Sequence, residues 1–69
     1  MKRNLDDISN SELEKAIDEW IHSERDRRIL KRRLIDGICY EPLAEEIGMS
    51  VRQIKEIVYK AEVKLFRHI

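Results

Sequence analysis

The apolar residues of the chain fall into four groups, each with the spacing of one helix face. Leu13, Ala16, Ile17, Trp20 and Ile21 recur at intervals of three and four and predict a first helix that ends at about Ile21. Ser9 with Glu12 forms its capping-box pair, and Ile8 and Leu13 take the flanking positions of a hydrophobic staple. A second helix, ERDRRILKRRLID, follows the cap candidate Ser23, directs Ile29, Leu30 and Leu34 inward and closes at Gly37, after which Ile38 re-enters the core. The third helix starts near Tyr40 with Pro42 in its first turn, where a missing amide costs little, and carries Leu43, Ala44 and Ile47. The fourth repeats Ile54, Val58, Ala61 and Leu65 at a helical period. Residues 1–8 show no sustained period and read as a frayed lead-in. The pattern predicts an all-α fold: one four-helix small domain over residues 1–69.

The stretch from Tyr40 to Phe66 organises the rest. Gly48 stands where a helix closes in the left-handed conformation that glycine adopts cheaply. Two residues later Ser50 is placed to cap a new helix, with Gln53 at the position that reaches back to the Ser50 amide. Two helices joined by a turn of three to four residues containing glycine, the second with a polar and mostly cationic outer face, form the helix-turn-helix pattern of a DNA reader.

A formal charge of zero opposes that expectation until the charge is divided along the chain. Residues 1–24 hold three basic against seven acidic side chains, a balance of −4, and residues 25–69 hold eleven against seven, +4. An acidic first segment followed by a basic remainder fits a DNA-binding core with a non-contacting first helix, and it equally fits self-association of opposite ends. The most basic segment is the second helix, with Arg25, Arg27, Arg28, Lys31, Arg32 and Arg33; the favoured reading is a solvated face with i, i+4 pairs, some members touching phosphates. Trp20, on the apolar stripe of an acidic helix, is a core residue rather than a base-stacking one. Cys39 is the single cysteine, which excludes an intramolecular disulfide; at the place of a helix cap it is expected to pack as a small apolar group rather than act as a nucleophile. No run of about twenty apolar residues is present, and the N-terminus has no apolar signal segment, so the expected compartment is the cytoplasm.

The landmarks Glu24-Arg25-Asp26, Ile29-Leu30, Arg33, Asp36-Gly37, Leu43-Ala44-Glu45, Ile47-Gly48-Met49-Ser50, Ile54-Lys55, Ala61 and Leu65 together resemble the fourth conserved region of bacterial RNA polymerase sigma factors. That region is the helix-turn-helix that recognises the −35 promoter element. The resemblance runs from about Ile21 to Ile69. It implies that the amino-terminal part of the last helix reads base edges in the major groove, which falls on Val51, Arg52, Lys55 and Glu56. Arg52 suits guanine O6 and N7, Lys55 guanine or a phosphate, Glu56 cytosine N4 and Val51 a thymine methyl, each good contact contributing about 1–3 kcal/mol of discrimination. Val51 also lies at the edge of the buried stripe, which makes core packing its alternative. Arg33, Tyr40, Gln53, Tyr59 and Lys60 are candidates for phosphate contacts. No segment corresponds to the sigma regions that bind the polymerase clamp and the −10 element, so the likeness is to a stand-alone module of the kind found in phages and mobile elements, nucleoid-associated and regulatory. Cys39 and Pro42 depart from the hydroxyl and acid that a sigma factor usually offers at the start of the third helix.

A second apolar stripe on the last helix, Tyr59, Val63 and Phe66, lies roughly opposite the buried one. Either the first helix folds back over it, or it is a face for a partner: a second copy, RNA polymerase or a sigma factor. No enzyme is expected. His22 and His68 stand alone, no ligand spacing for a metal and no phosphate-cradling glycine loop occur, and the adjacent acids Glu45 and Glu46 diverge around a helix into solvent. Neither a cofactor, a small-molecule substrate nor a membrane enters this expectation.

Overall fold

The computed structural model of the chain describes residues 9–68. The lead-in expected at residues 1–8, and with it the Ile8 half of the hydrophobic staple, lies outside them. The described residues form four helices and no strand: α1 (Asn10–Trp20), α2 (Glu24–Leu30), α3 (Tyr40–Ile47) and α4 (Val51–His68). Between α2 and α3 the chain makes a π-helical turn, Lys31–Ile35.

Three of the four helices start at a side-chain cap. Ser9 Oγ accepts from the Glu12 amide at 3.2 Å, and Ser23 Oγ accepts from the Asp26 amide at 3.3 Å. Both satisfy an amide that has no partner inside the helix. The box at Ser50 is reciprocal: the Gln53 amide donates to Ser50 Oγ at 3.2 Å and the Ser50 amide donates to Gln53 Oε1 at 3.0 Å. α3 begins after Cys39 without a side-chain cap. The thiol is exposed rather than packed, contrary to the expectation from sequence, because the cap position faces solvent and the neighbouring Ile38 fills the inward place.

The second helix also departs from expectation. It does not run as one α-helix to Asp36; the Asp36 amide bonds to the Lys31 carbonyl at 3.1 Å, five residues back, and the Ile38 amide bonds to the Arg32 carbonyl at 3.1 Å. Leu34 still packs against the core, half-buried, as expected.

The core joins all four helices: Leu13, Ala16, Ile17 and Ile21 from the first segment, Ile29 and Leu30 from α2, Leu43 and Ala44 from α3, and Ile54, Val58, Ala61 and Leu65 from α4. Trp20, Ile38, Met49 and Val51 pack against its edge, half-buried. α4 is the shared wall, touching α1, α2 and α3. Its inner face is fixed on three sides, and its outer face is left to solvent.

Candidate nucleic-acid interface

α3 and α4 meet at a three-residue turn. Gly48 takes the left-handed conformation, φ 83° and ψ 32°, and its amide and that of Met49 both bond to the Ala44 carbonyl, at 2.8 and 3.0 Å. Leu43 and Ala44 on one side and Ile54 and Val58 on the other lock the pair into the core. With the Ser50–Gln53 box fixing where α4 begins, the outward direction of Arg52, Lys55 and Glu56 follows from helical geometry.

These three side chains are exposed and lie in the first two turns of α4. Arg52 is 92% exposed and lies 3.7 Å from Glu56 Oε1, an i, i+4 pair on the open surface. Lys55 leans over Tyr40, its ammonium 5.5 Å from the ring centroid, and the Arg33 guanidinium sits 4.3 Å from the same ring. Two cations from different elements thus converge on one aromatic at the start of α3.

The remaining candidates divide by what already holds them. Val51 is half-buried against the core, as its position at the edge of the stripe allowed. Gln53 spends its amide oxygen on the cap, where it also accepts from Ser50 Oγ at 3.2 Å. Arg33 donates to the Ile38 carbonyl at 3.1 Å in addition to its contact with Tyr40. Lys60 lies away from the Arg52 group, at the rim of an open cleft with Ile21, His22, Ser23 and Lys64. Tyr59 is exposed further along the outer face.

The basic run of α2 and the π turn is tied into the fold by contacts between elements, which spacing within one helix does not reveal. Arg32 makes a two-point contact with Glu46 of α3, at 2.8 and 3.0 Å, and reaches Asp36 at 3.0 Å. Arg28 approaches Glu46 at 3.5 Å. Lys31 pairs with Asp18 of α1 at 2.8 Å, and Arg27 donates to the Ile21 carbonyl and, at 3.0 Å, to the Asp18 carbonyl. Among the described residues, only the Arg32–Asp36 pair has the expected i, i+4 spacing within this run. Glu46 is exposed, as expected, and in addition links α3 to its neighbours through these arginines. Its hydrogen bonds from Arg32 hold its pKa below the usual carboxylate range, against a smaller opposing effect of burial. Arg32 is raised in turn, first by the bond to Glu46 and then by that to Asp36.

One group outside the candidates is also perturbed. Burial pushes the Glu62 carboxyl up, and the charge of Arg33 partly offsets this.

The first helix does not cover the second stripe of α4. It packs on the inner side through Leu13, Ala16 and Ile17, and Tyr59, Val63 and Phe66 remain 55%, 59% and 44% exposed. Comparison of the chain with protein-family models, with curated proteins and with solved structures gives no match.

Proposed function

We propose that the chain binds double-stranded DNA in a sequence-specific manner through α3 and α4, as a small transcription regulator of bacterial or phage type resembling sigma factor region four. The observation that carries this reading is the placement of Arg52, Lys55 and Glu56, three groups able to read base edges, on the exposed opening turns of a helix that follows a three-residue glycine turn. A rigid α4, held on its inner face, presents them at fixed spacing. The Arg52–Glu56 contact is an exposed pair of the kind that contributes about 0–1 kcal/mol, so exchanging it for base contacts costs little. Tyr40 beside Lys55 gives the start of α3 a group that contacts a phosphate across the groove edge.

Surface pairing of Arg28 and Arg32 with Glu46 and of Lys31 with Asp18 offsets part of the positive charge of the basic run, while Arg52 and Lys55 stay open on α4. A single module with so few base contacts has modest affinity by itself, and a second protein on the DNA, RNA polymerase in particular, supplies the remainder. The test is enrichment of sequences from a random duplex pool by the purified chain at about physiological ionic strength, where phosphate contacts alone are weak. A recovered motif that Arg52→Ala erases at one position is the expected result. Failure to enrich any sequence, with the chain alone and again with RNA polymerase present, would refute site-specific reading.

The exposed stripe Tyr59, Val63 and Phe66 favours a second reading, a module whose main partner is a protein.

A further inference from the structure

We infer that the carboxy-terminal half of α4 is a docking ridge for an amphipathic helix with acidic flanks, carried by another protein. Tyr59, Val63 and Phe66 stand at i, i+4 and i+7, the anchor spacing by which helices pack through an apolar face. All three are large, and about half of each is in water. Beside them on one flank lie Lys60 and Arg67, both exposed. Neither has an ion-pair partner among the described residues, in contrast to Arg25 and Arg28 of α2. An apolar ridge bordered on one flank by two unpaired cations is complementary to an apolar face with carboxylates along the edge that meets that flank.

The charges also discriminate among occupants. A second copy packed antiparallel about a two-fold axis brings each flank against the same flank of its mate, so that Lys60 and Arg67 meet their own kind. Parallel pairing sets them against Lys55 and Glu62, one of which is again a cation. The acidic α1 of the same chain is engaged on the inner side of α4. DNA offers no apolar surface to cover three such side chains along the backbone.

The position of the ridge matters as well. Val63 and Arg52 share the outer side of α4 at an axial separation of about 16 Å, from a rise of 1.5 Å per residue. A partner on the ridge therefore sits next to whatever occupies the opening turns, without covering them.

The experiment uses the full chain and two labelled helical peptides that share one leucine stripe, one flanked by glutamates and the other by lysines. Fluorescence anisotropy is expected to show saturable binding of the glutamate peptide and about tenfold weaker binding of the lysine peptide, the ratio expected from two surface ion pairs. Val63→Glu should abolish binding while leaving the thermal melt unchanged, and Lys60→Glu with Arg67→Glu should reverse the preference. Equal binding of both peptides, or of neither, overturns the proposal. So does a wild-type dimer in sedimentation that Val63→Glu dissociates, which would make a second copy the occupant. Weakening of duplex binding by Val63→Glu as large as that by Arg52→Ala would assign the ridge to DNA and overturn it too. The proposal does not rest on DNA reading, and the random-pool selection fails or succeeds independently of the peptide result.

Discussion

Arg32 and Glu46 hold each other through two nitrogen–oxygen contacts, at 2.8 and 3.0 Å, across the junction of the π turn and α3. The pair ties α3 to the π turn at the surface of the domain. Because the bond from Arg32 lowers the Glu46 pKa, the folded state binds fewer protons here than the unfolded chain. The stabilisation is complete above the ordinary glutamate range and is lost as pH falls through the lowered value. Glu46→Gln is expected to reduce the melting temperature at neutral pH, and the two proteins should converge in acid. Melts followed by circular dichroism across that range check it; a gap that stays constant with pH would contradict the assigned cause.

Glu62 has the opposite sign. Burial raises its pKa, so the folded state is favoured when the group is protonated, and that contribution is lost as pH rises through the folded value. Glu62→Gln removes the cost of a desolvated charge and is expected to raise the melting temperature at neutral pH, with no gain in acid. The same titration of melts reads it, and a destabilised variant at neutral pH would show that attraction to Arg33 outweighs burial.

At Gly48 the backbone, with φ 83°, sets the cost of substitution, since a Cβ built there meets nothing within 4 Å. Gly48→Ala is expected to destabilise by about 1–2 kcal/mol through left-handed strain alone. Chemical denaturation measures the loss. In a domain of this length, where total stability is expected to be only a few kcal/mol, such a change is a large fraction of it.

Under the DNA-binding proposal, Arg52 and Lys60 separate base reading from charge. Arg52→Ala should cost about 1–3 kcal/mol on the preferred duplex and relax preference at one position. Lys60→Ala should weaken all duplexes alike and reduce the slope of log affinity against log salt by about one. Binding titrations at several salt concentrations distinguish the two, and identical behaviour of both variants on every sequence would reduce the interface to nonspecific electrostatics.

Much of the fold was legible because its punctuation is local. Ser9, Ser23 and Ser50 each bond to an amide three residues on, and Gly48 closes α3, so the starts of α1, α2 and α4 and the end of α3 follow from short stretches of sequence. The buried stripe of α4 was legible from its period. What escaped depends on contacts between elements. Nothing in Lys31–Ile35 marks a π turn, and the spacing of Arg28 and Arg32 gives no sign that Glu46, in a different helix, will hold both. The bond of Arg33 to the Ile38 carbonyl escaped in the same way, whereas the engagement of Gln53 at the cap was legible from Ser50 three residues before it. Whether α1 would cover Tyr59, Val63 and Phe66 was undecidable for a related reason: α1 has one apolar face, and only the packing reveals which side of α4 receives it.

The turn at Lys31–Ile35 closes over five residues where an α turn closes over four, and in doing so it stores one residue of chain. In an unbroken helix that residue would add a rotation of about 100° to everything after it. Ile29 and Leu30 before the turn and Ile38 after it nonetheless all reach the core. The segment thus holds one residue more than an α turn needs, and a one-residue deletion there is expected to be met by closing it to an α turn.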